Sequence, residues 1–296
     1  MLVEPPRHGT GHHRRMAPSL PTNPSRRQVL GVLGGLGGVG LLTIAGCGGG
    51  DSSADGSRRT ANPGGSGTSA TTSAAASGAA TATAECVEVP TETGGPYPAD
   101  GSNGPDVLSE DGVVRSDLRS SFGSASGTAS GIPLTVAVTV LDLATGCAPL
   151  RGAALYAWHC DAEGLYSMYS PGATDQNWCR GVQVTDANGT VTFTTVFPGA
   201  YLGRWPHVHF EVYPSVSAAT GGGAKLVTSQ LALPEAACRT VYATSGYESS
   251  ARNFPRTSLS GDMVFRDGVS QQMATVTGTP SSDLTSALTI AVSSAV

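Results

Sequence analysis

Leu134-Thr-Val-Ala-Val-Thr-Val-Leu141 alternates apolar with small polar residues, which is the period of a strand with one face buried. Ala153 to Cys160 is apolar and carries Tyr156 and Trp158 on one face. Gly181 to Thr185 and Thr190 to Val196 flank the turn residues Asp186-Ala-Asn-Gly189, a pattern that predicts a hairpin. His207 to Tyr213, Lys225 to Leu233, Asp262 to Phe265, Met273 to Gly278 and Leu288 to Val292 continue the series, and no stretch has a convincing amphipathic helical period. The composition agrees: with 39% hydrophobic and 13% charged residues, 40 glycines and 19 prolines, the chain suits short strands joined by tight turns and long loops. The expectation is one all-β domain over residues 85–296, an antiparallel β-sandwich with length enough for a sizeable core.

The N-terminal part has a different character. Ser25-Arg26-Arg27-Gln28-Val29-Leu30 is a twin-arginine signal, and the apolar, glycine-rich stretch from Gly31 to Ala45 is short for a membrane span. It ends in Ile44-Ala45-Gly46-Cys47, which resembles a lipobox, with ordinary signal cleavage as the plainer alternative. Residues 1–46 are therefore expected to be a signal peptide and Cys47 a lipidated first residue. Residues 47–84, rich in Gly, Ser, Ala and Thr, would be a tether with too little apolar surface to fold. The protein would be exported by the twin-arginine route and held at the outer face of the cell membrane by its lipid alone. That route suits a protein that folds before export.

The net charge of -5 argues against nucleic acid as a partner, since the arginine pairs 14/15, 26/27 and 58/59 all lie in the signal and tether. Cys86, Cys147, Cys160, Cys179 and Cys238 remain for the domain, an odd number in an oxidising compartment. Two disulfides and one free thiol are predicted, with the pairing open. No two of these cysteines have the close spacing of a zinc site.

The chemistry gathers in Phe197-Pro-Gly-Ala-Tyr-Leu-Gly-Arg-Trp-Pro-His-Val-His-Phe-Glu-Val-Tyr213. His207 and His209 sit two apart on a strand, so both imidazoles project from one face and can serve one metal. Tyr201 offers a phenolate and Arg204 a permanent cation. A half-buried strand accounts for an isolated His-x-His, but further motifs surround this one. In order, the chain reads Trp158-His-x-x-x-x-Gly-x-Tyr166-Ser, Arg180-Gly-x-x-x-Thr-Asp-x-x-Gly189, Pro198-Gly-x-Tyr201 and Arg204-x-x-His207-x-His209-Phe. From about Thr93 onward this order resembles the intradiol ring-cleavage dioxygenases, whose fold is expected here as an immunoglobulin- or prealbumin-like sandwich.

The resemblance implies non-haem iron(III), Fe(3+), bound by Tyr166, Tyr201, His207 and His209, with a catechol-like aromatic and dioxygen as substrates. Arg204 keeps the family's spacing before the first histidine. Gln230 matches a polar residue of the substrate pocket, and Tyr97, in Thr93-Gly-Gly-Pro-Tyr97, matches an aromatic near its mouth. A phenol of pKa about 10 is ionised at neutral pH only beside a strong cation, and hard oxygen donors favour the ferric state. As the family implies, Tyr201 is also a base that takes a catechol proton, and Arg204 stabilises charge as the ring is attacked, on the way to a muconate-type diacid. Glu211, on the face of the two histidines, is an alternative fourth ligand and an alternative partner for Arg204.

Two departures from better-known members are visible. Trp205 stands before Pro206, moving the proline by one, and the link from Tyr201 to Arg204 is shorter, which leaves Tyr201 the ligand most in question. The tether replaces the helical segment that catechol-type members use to dimerise, so oligomeric state is open and a homo-oligomer remains possible. The competing class is a non-catalytic extracellular metal- or ligand-binding lipoprotein, and a copper or zinc hydrolase built on His207 and His209 would leave Tyr166 and Arg204 unused.

Overall fold

The structure, a computed structural model, describes residues 86–295; the segments expected to be signal peptide and tether, Cys47 included, lie outside them. Nine strands make two sheets. They are β1 (Pro133–Asp142), β2 (Ala148–Pro149), β3 (Ala154–Trp158), β4 (Arg180–Val184), β5 (Thr190–Val196), β6 (His207–Tyr213), β7 (Val227–Ala232), β8 (Thr275–Thr279) and β9 (Ser282–Val292). One sheet runs β2-β1-β9-β8 with β5 also paired to β1, and the other runs β4-β3-β6-β7. The chain is all-β in its main elements, as the alternating segments predict.

Alternation within the strands assigns their faces. Val136, Val138 and Val140 of β1, Leu288 and Ile290 of β9, Leu155 and Ala157 of β3, and Val208, Phe210 and Val212 of β6 share one apolar core drawn from both sheets. The other face of the four-stranded sheet is buried as well. Ala154, Tyr156 and Trp158 of β3 and Tyr213 of β6 form a second cluster with Tyr166, against which Tyr97, Tyr169 and Tyr201 pack. Every residue of β3 and β6 is consequently buried, and the histidines of β6 point away from the main core toward this tyrosine-rich cover.

Several expectations need correction. The sheets are not wholly antiparallel, because β1 and β9 run parallel, with Leu134 opposite Leu284 and Val138 opposite Leu288. The turn at Asp186 forms, its carboxylate accepting from the amides of Asn188 and Thr190, but β4 and β5 do not pair as a hairpin. Residues 113–118 insert between them: Val182 donates to Val113 and receives from Arg115, while Thr194 donates to Ser116 and receives from Leu118. The inserted segment takes the backbone groups that a hairpin would have paired.

Asp262 to Phe265 is a turn rather than a strand. Three short helices are present, α1 (Val216–Thr220), α2 (Glu235–Tyr242) and α3 (Glu248–Asn253). They are too short for a repeated apolar stripe to stand out in the sequence; α2 buries Cys238, Val241 and Tyr242, spaced to share one face. Among the described residues no helix is long and apolar enough to cross a membrane.

Among the described residues one disulfide occurs, Cys86–Cys147, where the sequence predicts two. Cys160, Cys179 and Cys238 are buried free thiols. Each has its own surroundings: Cys160 donates to the carbonyl of Gly199, Cys179 accepts from Thr195, and Cys238 donates to the carbonyl of Leu233.

Candidate active site

Each tyrosine of the site rides on a loop shaped by a few fixed contacts. After β3, Asp161 closes a turn: its amide donates to Leu165 O at 2.9 Å and its carboxylate accepts from the amides of Glu163 and Leu165. This delivers Tyr166 to the outer face of β6. The Tyr201 loop lies directly against that turn, with Gly199 N donating to Asp161 O at 2.9 Å. A side chain at Gly199 would sit 2.4 Å from Ala162 O, so only glycine permits the approach. Between Tyr201 and Arg204 the chain reverses through Leu202 and Gly203, the latter at φ +88°.

The four candidate ligands converge. Tyr166 Oη is 3.2 Å from Tyr201 Oη and 3.4 Å from His207 Nε2. Tyr201 Oη is also 3.4 Å from His207 Nε2, and His207 Nε2 is 3.0 Å from His209 Nε2. Orientation is built in: His207 Nδ1 donates to Trp205 O, which turns Nε2 toward the cluster as an acceptor, and the ring of His209 stacks on Trp158, nearly parallel at 4.8 Å. Gly95, at φ +70°, passes so close that an added Cβ would lie 3.3 Å from His209 Cε1.

Electrostatics favour four neutral donors. Burial, then the charge of Arg204, lowers His207 to a pKa of about 3, and burial followed by the neighbouring His207 drives His209 well below the usual histidine range. Burial likewise raises both phenols. Two imidazole nitrogens and two phenol oxygens thus face one point without a charge of their own, and His209 Nδ1 is a buried nitrogen with no partner. This donor set fits a metal ion: a cation at the common point would give the facing His207 and His209 nitrogens a shared acceptor for their lone pairs and supply the field that ionises the phenols. Among the described residues no group of three or more His, Cys, Asp or Glu side chains is placed to hold a metal.

Arg204 borders this cluster. Its Nε donates to Asp262 Oδ2 at 3.0 Å and its Nη2 to Gln230 Oε1, while Gln230 Nε2 donates to Thr93 O at 2.9 Å. Gln230 stands opposite His209 in the β6–β7 register. Asp262 is buried and also accepts from the amides of Trp205 and Val264. Burial opposes its charge, but those amides and Arg204 hold its pKa below the usual carboxylate value.

Glu211 takes neither role considered for it, since its carboxylate is occupied by Lys225, Thr228 and Tyr213. The ring of Tyr97 lies 4.8 Å from that of Tyr166, beside the site. Its loop is anchored by Arg180, a fully buried guanidinium that donates to Tyr97 O, Pro98 O and Ser167 O. Asp262 has no role in the sequence reading, and Gly95, though inside the Thr93–Tyr97 segment singled out there, has none of its own. The Asp262 segment passes for a strand by composition, and only positive φ and proximity mark Gly95 among the many glycines.

Residues 104–210, which include Tyr166, Tyr201, Arg204, His207 and His209, match the family model Dioxygenase_C, described as dioxygenase. No curated protein matches the chain. Among solved structures, an intradiol ring-cleavage dioxygenase from Tetranychus urticae is 27% identical, with 71% of this chain and 96% of that one covered and a TM-score of 0.56. A second, the dioxygenase Tetur07g02040, is also 27% identical, over 72% of this chain and 97% of that one, with a TM-score of 0.57. The chain thus carries a dioxygenase domain that includes both tyrosines and both histidines, and it is similar in fold and sequence to an intradiol ring-cleavage dioxygenase.

Proposed function

We propose that this enzyme holds iron(III) through Tyr166, Tyr201, His207 and His209 and cleaves a catechol-type ring between its two hydroxylated carbons with dioxygen, giving a muconate-type diacid. The observation that carries the reading is the meeting of two phenol oxygens and two imidazole nitrogens on a buried strand face, with His207 Nε2 lying 3.0 to 3.4 Å from each of the other three. Ferric iron would balance the phenolate charges and draw electron density from a chelated catecholate, activating the ring toward dioxygen.

The chain's own residues supply the rest. Tyr201, the less buried of the two tyrosines, is the base that accepts one catechol proton at Oη as substrate docks. Arg204, held by Asp262 and Gln230, is a fixed cation beside the reacting ring. Tyr97 forms a wall of the substrate space next to Tyr166. Trp158 stacks on His209 and Gly95 passes close to its Cε1, and together they restrain its ring.

The core shared by both sheets supports a prealbumin-like sandwich as the scaffold. Export by the twin-arginine route with lipidation at Cys47 completes the proposal, resting on Arg26-Arg27 and Ile44-Ala45-Gly46-Cys47. The direct test is dioxygen uptake by iron-loaded protein with a panel of catechols, followed by identification of the product. Uptake matched one-to-one by a ring-opened diacid is expected. Tight catechol binding without uptake would favour the non-catalytic binding module instead.

A further inference from the structure

Backbone groups leading into Tyr201 are bound by side chains from one distant stretch of chain. Tyr247 Oη donates to Phe197 O at 2.7 Å and Tyr242 Oη to Pro198 O at 2.9 Å. Ser250 Oγ accepts from Ala200 N at 2.8 Å, and Asn253 Nδ2 donates to Ala200 O at 3.0 Å. Both polar groups of Ala200, the residue before Tyr201, are therefore held by α3, from two positions three apart that share one helix face. Ser250 has a second contact: its hydroxyl donates to Ala162 O at 3.0 Å, in the turn that carries Tyr166. One fully buried hydroxyl thus joins the two tyrosine loops.

This attachment matters because the downstream side of Tyr201 has little to fix it. Only Leu202, which is exposed, and Gly203 separate it from Arg204, which is tied to Asp262. Ala200 is buried, so its amide and carbonyl have no water to turn to if the side chains of α3 are removed. The helix is itself well seated: Tyr247 Oη also accepts from Ile132 N, and Phe254, at the end of α3, packs on Trp205 at 5.0 Å.

We propose that Ser250 and Asn253 are positioning residues for Tyr201, clamping the Ala200 backbone so that the Tyr201 phenol meets Tyr166 and His207 despite the short link to Arg204. The inference rests on the functional reading above, in which Tyr201 is a ligand and base. Its chemical consequence is specific, since Asn253 acts on the Tyr201 loop alone, Ser250 ties that loop to the Tyr166 turn, and neither touches the histidine strand.

A double-mutant cycle with Tyr201→Phe tests it in the iron-loaded enzyme. Asn253→Ala is expected to retain iron, to alter the visible phenolate-to-iron absorption and to lower kcat/KM by roughly 10- to 100-fold, the range for groups that orient a ligand. In the Tyr201→Phe background the same change should have almost no further effect, because the group it positions is gone. Asn253→Gln, which keeps the donor, should recover part of the loss. Additive losses, or a lower melting temperature with the wild-type spectrum and rate, would overturn the proposal.

Hydrogen exchange in the metal-free protein separates this failure from that of the functional reading. Ser250→Ala should speed exchange of the Ala200 amide by about tenfold or more while the amides of β6 are unchanged. Unchanged exchange at Ala200 would overturn the clamp. Faster exchange there in a protein whose wild type takes up no ferric iron would support the clamp and overturn the iron assignment.

Discussion

Tyr201 Oη lies 3.4 Å from His207 Nε2, although only six positions separate the two residues in the chain. The short link between Tyr201 and Arg204 therefore still brings the second tyrosine to the cluster, through a reversal at Gly203 and a backbone held by α3. If Tyr201 is both ligand and base, Tyr201→Phe should keep much of its iron but chelate catechol more slowly, since one proton acceptor has gone. Stopped-flow spectra of anaerobic catechol binding measure this. Unchanged chelation rates would give the role to another group, with Tyr97 and Tyr169 the nearest aromatic candidates.

Arg204 is locked by Asp262 on one side and Gln230 on the other. A preorganised cation that acts on developing charge contributes on the order of 2 to 4 kcal/mol, so Arg204→Leu should lower turnover by about thirty- to a thousandfold with a much smaller change in substrate affinity. Lysine there should recover only part, because an ammonium cannot reproduce the fork that contacts Asp262 and Gln230 together. Asp262→Asn should give a milder loss in the same direction. Single-turnover oxygen kinetics on catechol-loaded enzyme separate rate from affinity, and equal losses in both would assign Arg204 to docking.

The strand framework was legible because its causes are local. β1 and β6 alternate over enough residues to fix their faces, so the shared orientation of His207 and His209 could be read without a structure. Pairing was another matter. The Asp186 turn was recognised correctly, but the segment that separates β4 from β5 lies about 70 residues upstream of them, and no local signal reports such an insertion. The same distinction runs through the site. The motif residues stand in the chain order that the family resemblance supplied, whereas Asp262, Ser250 and Asn253 act through single side chains from turns and a six-residue helix. A lone serine or asparagine on an exposed-looking segment carries no periodic mark.

The cysteine arrangement offers an independent check. In a chain with Cys47 replaced by serine, denatured without reductant, three thiols should react, those of Cys160, Cys179 and Cys238. A second disulfide would leave one. The Cys86–Cys147 bridge spans 61 positions, and a loop of that size should contribute about 2 to 4 kcal/mol of stability, measurable by denaturation of the Cys86→Ser, Cys147→Ser double variant.

Acid should destabilise the metal-free protein. Burial holds His159 at a pKa of about 4, below its ordinary 6.5, with Nδ1 donating to Cys160 O and Nε2 accepting from Thr195. As pH falls below about 6.5, the unfolded chain gains a proton that the folded chain refuses, so stability is lost progressively until the folded pKa near 4 is reached. His207, at about 3, adds a loss of the same sign over a wider window. Asp262, whose folded pKa is depressed, contributes stability that is lost only below the ordinary aspartate value. Melting temperatures measured from pH 7 down to 4 should fall, with a shallower slope in His159→Gln.

The central claim is that Tyr166, Tyr201, His207 and His209 hold ferric iron through phenolate oxygen. Visible absorption of the purified protein titrated with iron(III) tests it most directly, because an iron(III) phenolate is coloured and the apoprotein is not. One equivalent of iron should produce a visible band, and Tyr166→Phe and His209→Ala, each short of one donor in a preformed site, should lose the iron and the band with it. A wild-type protein that stays colourless with a full equivalent of iron bound, or a Tyr166→Phe variant with wild-type iron, colour and activity, would contradict the account.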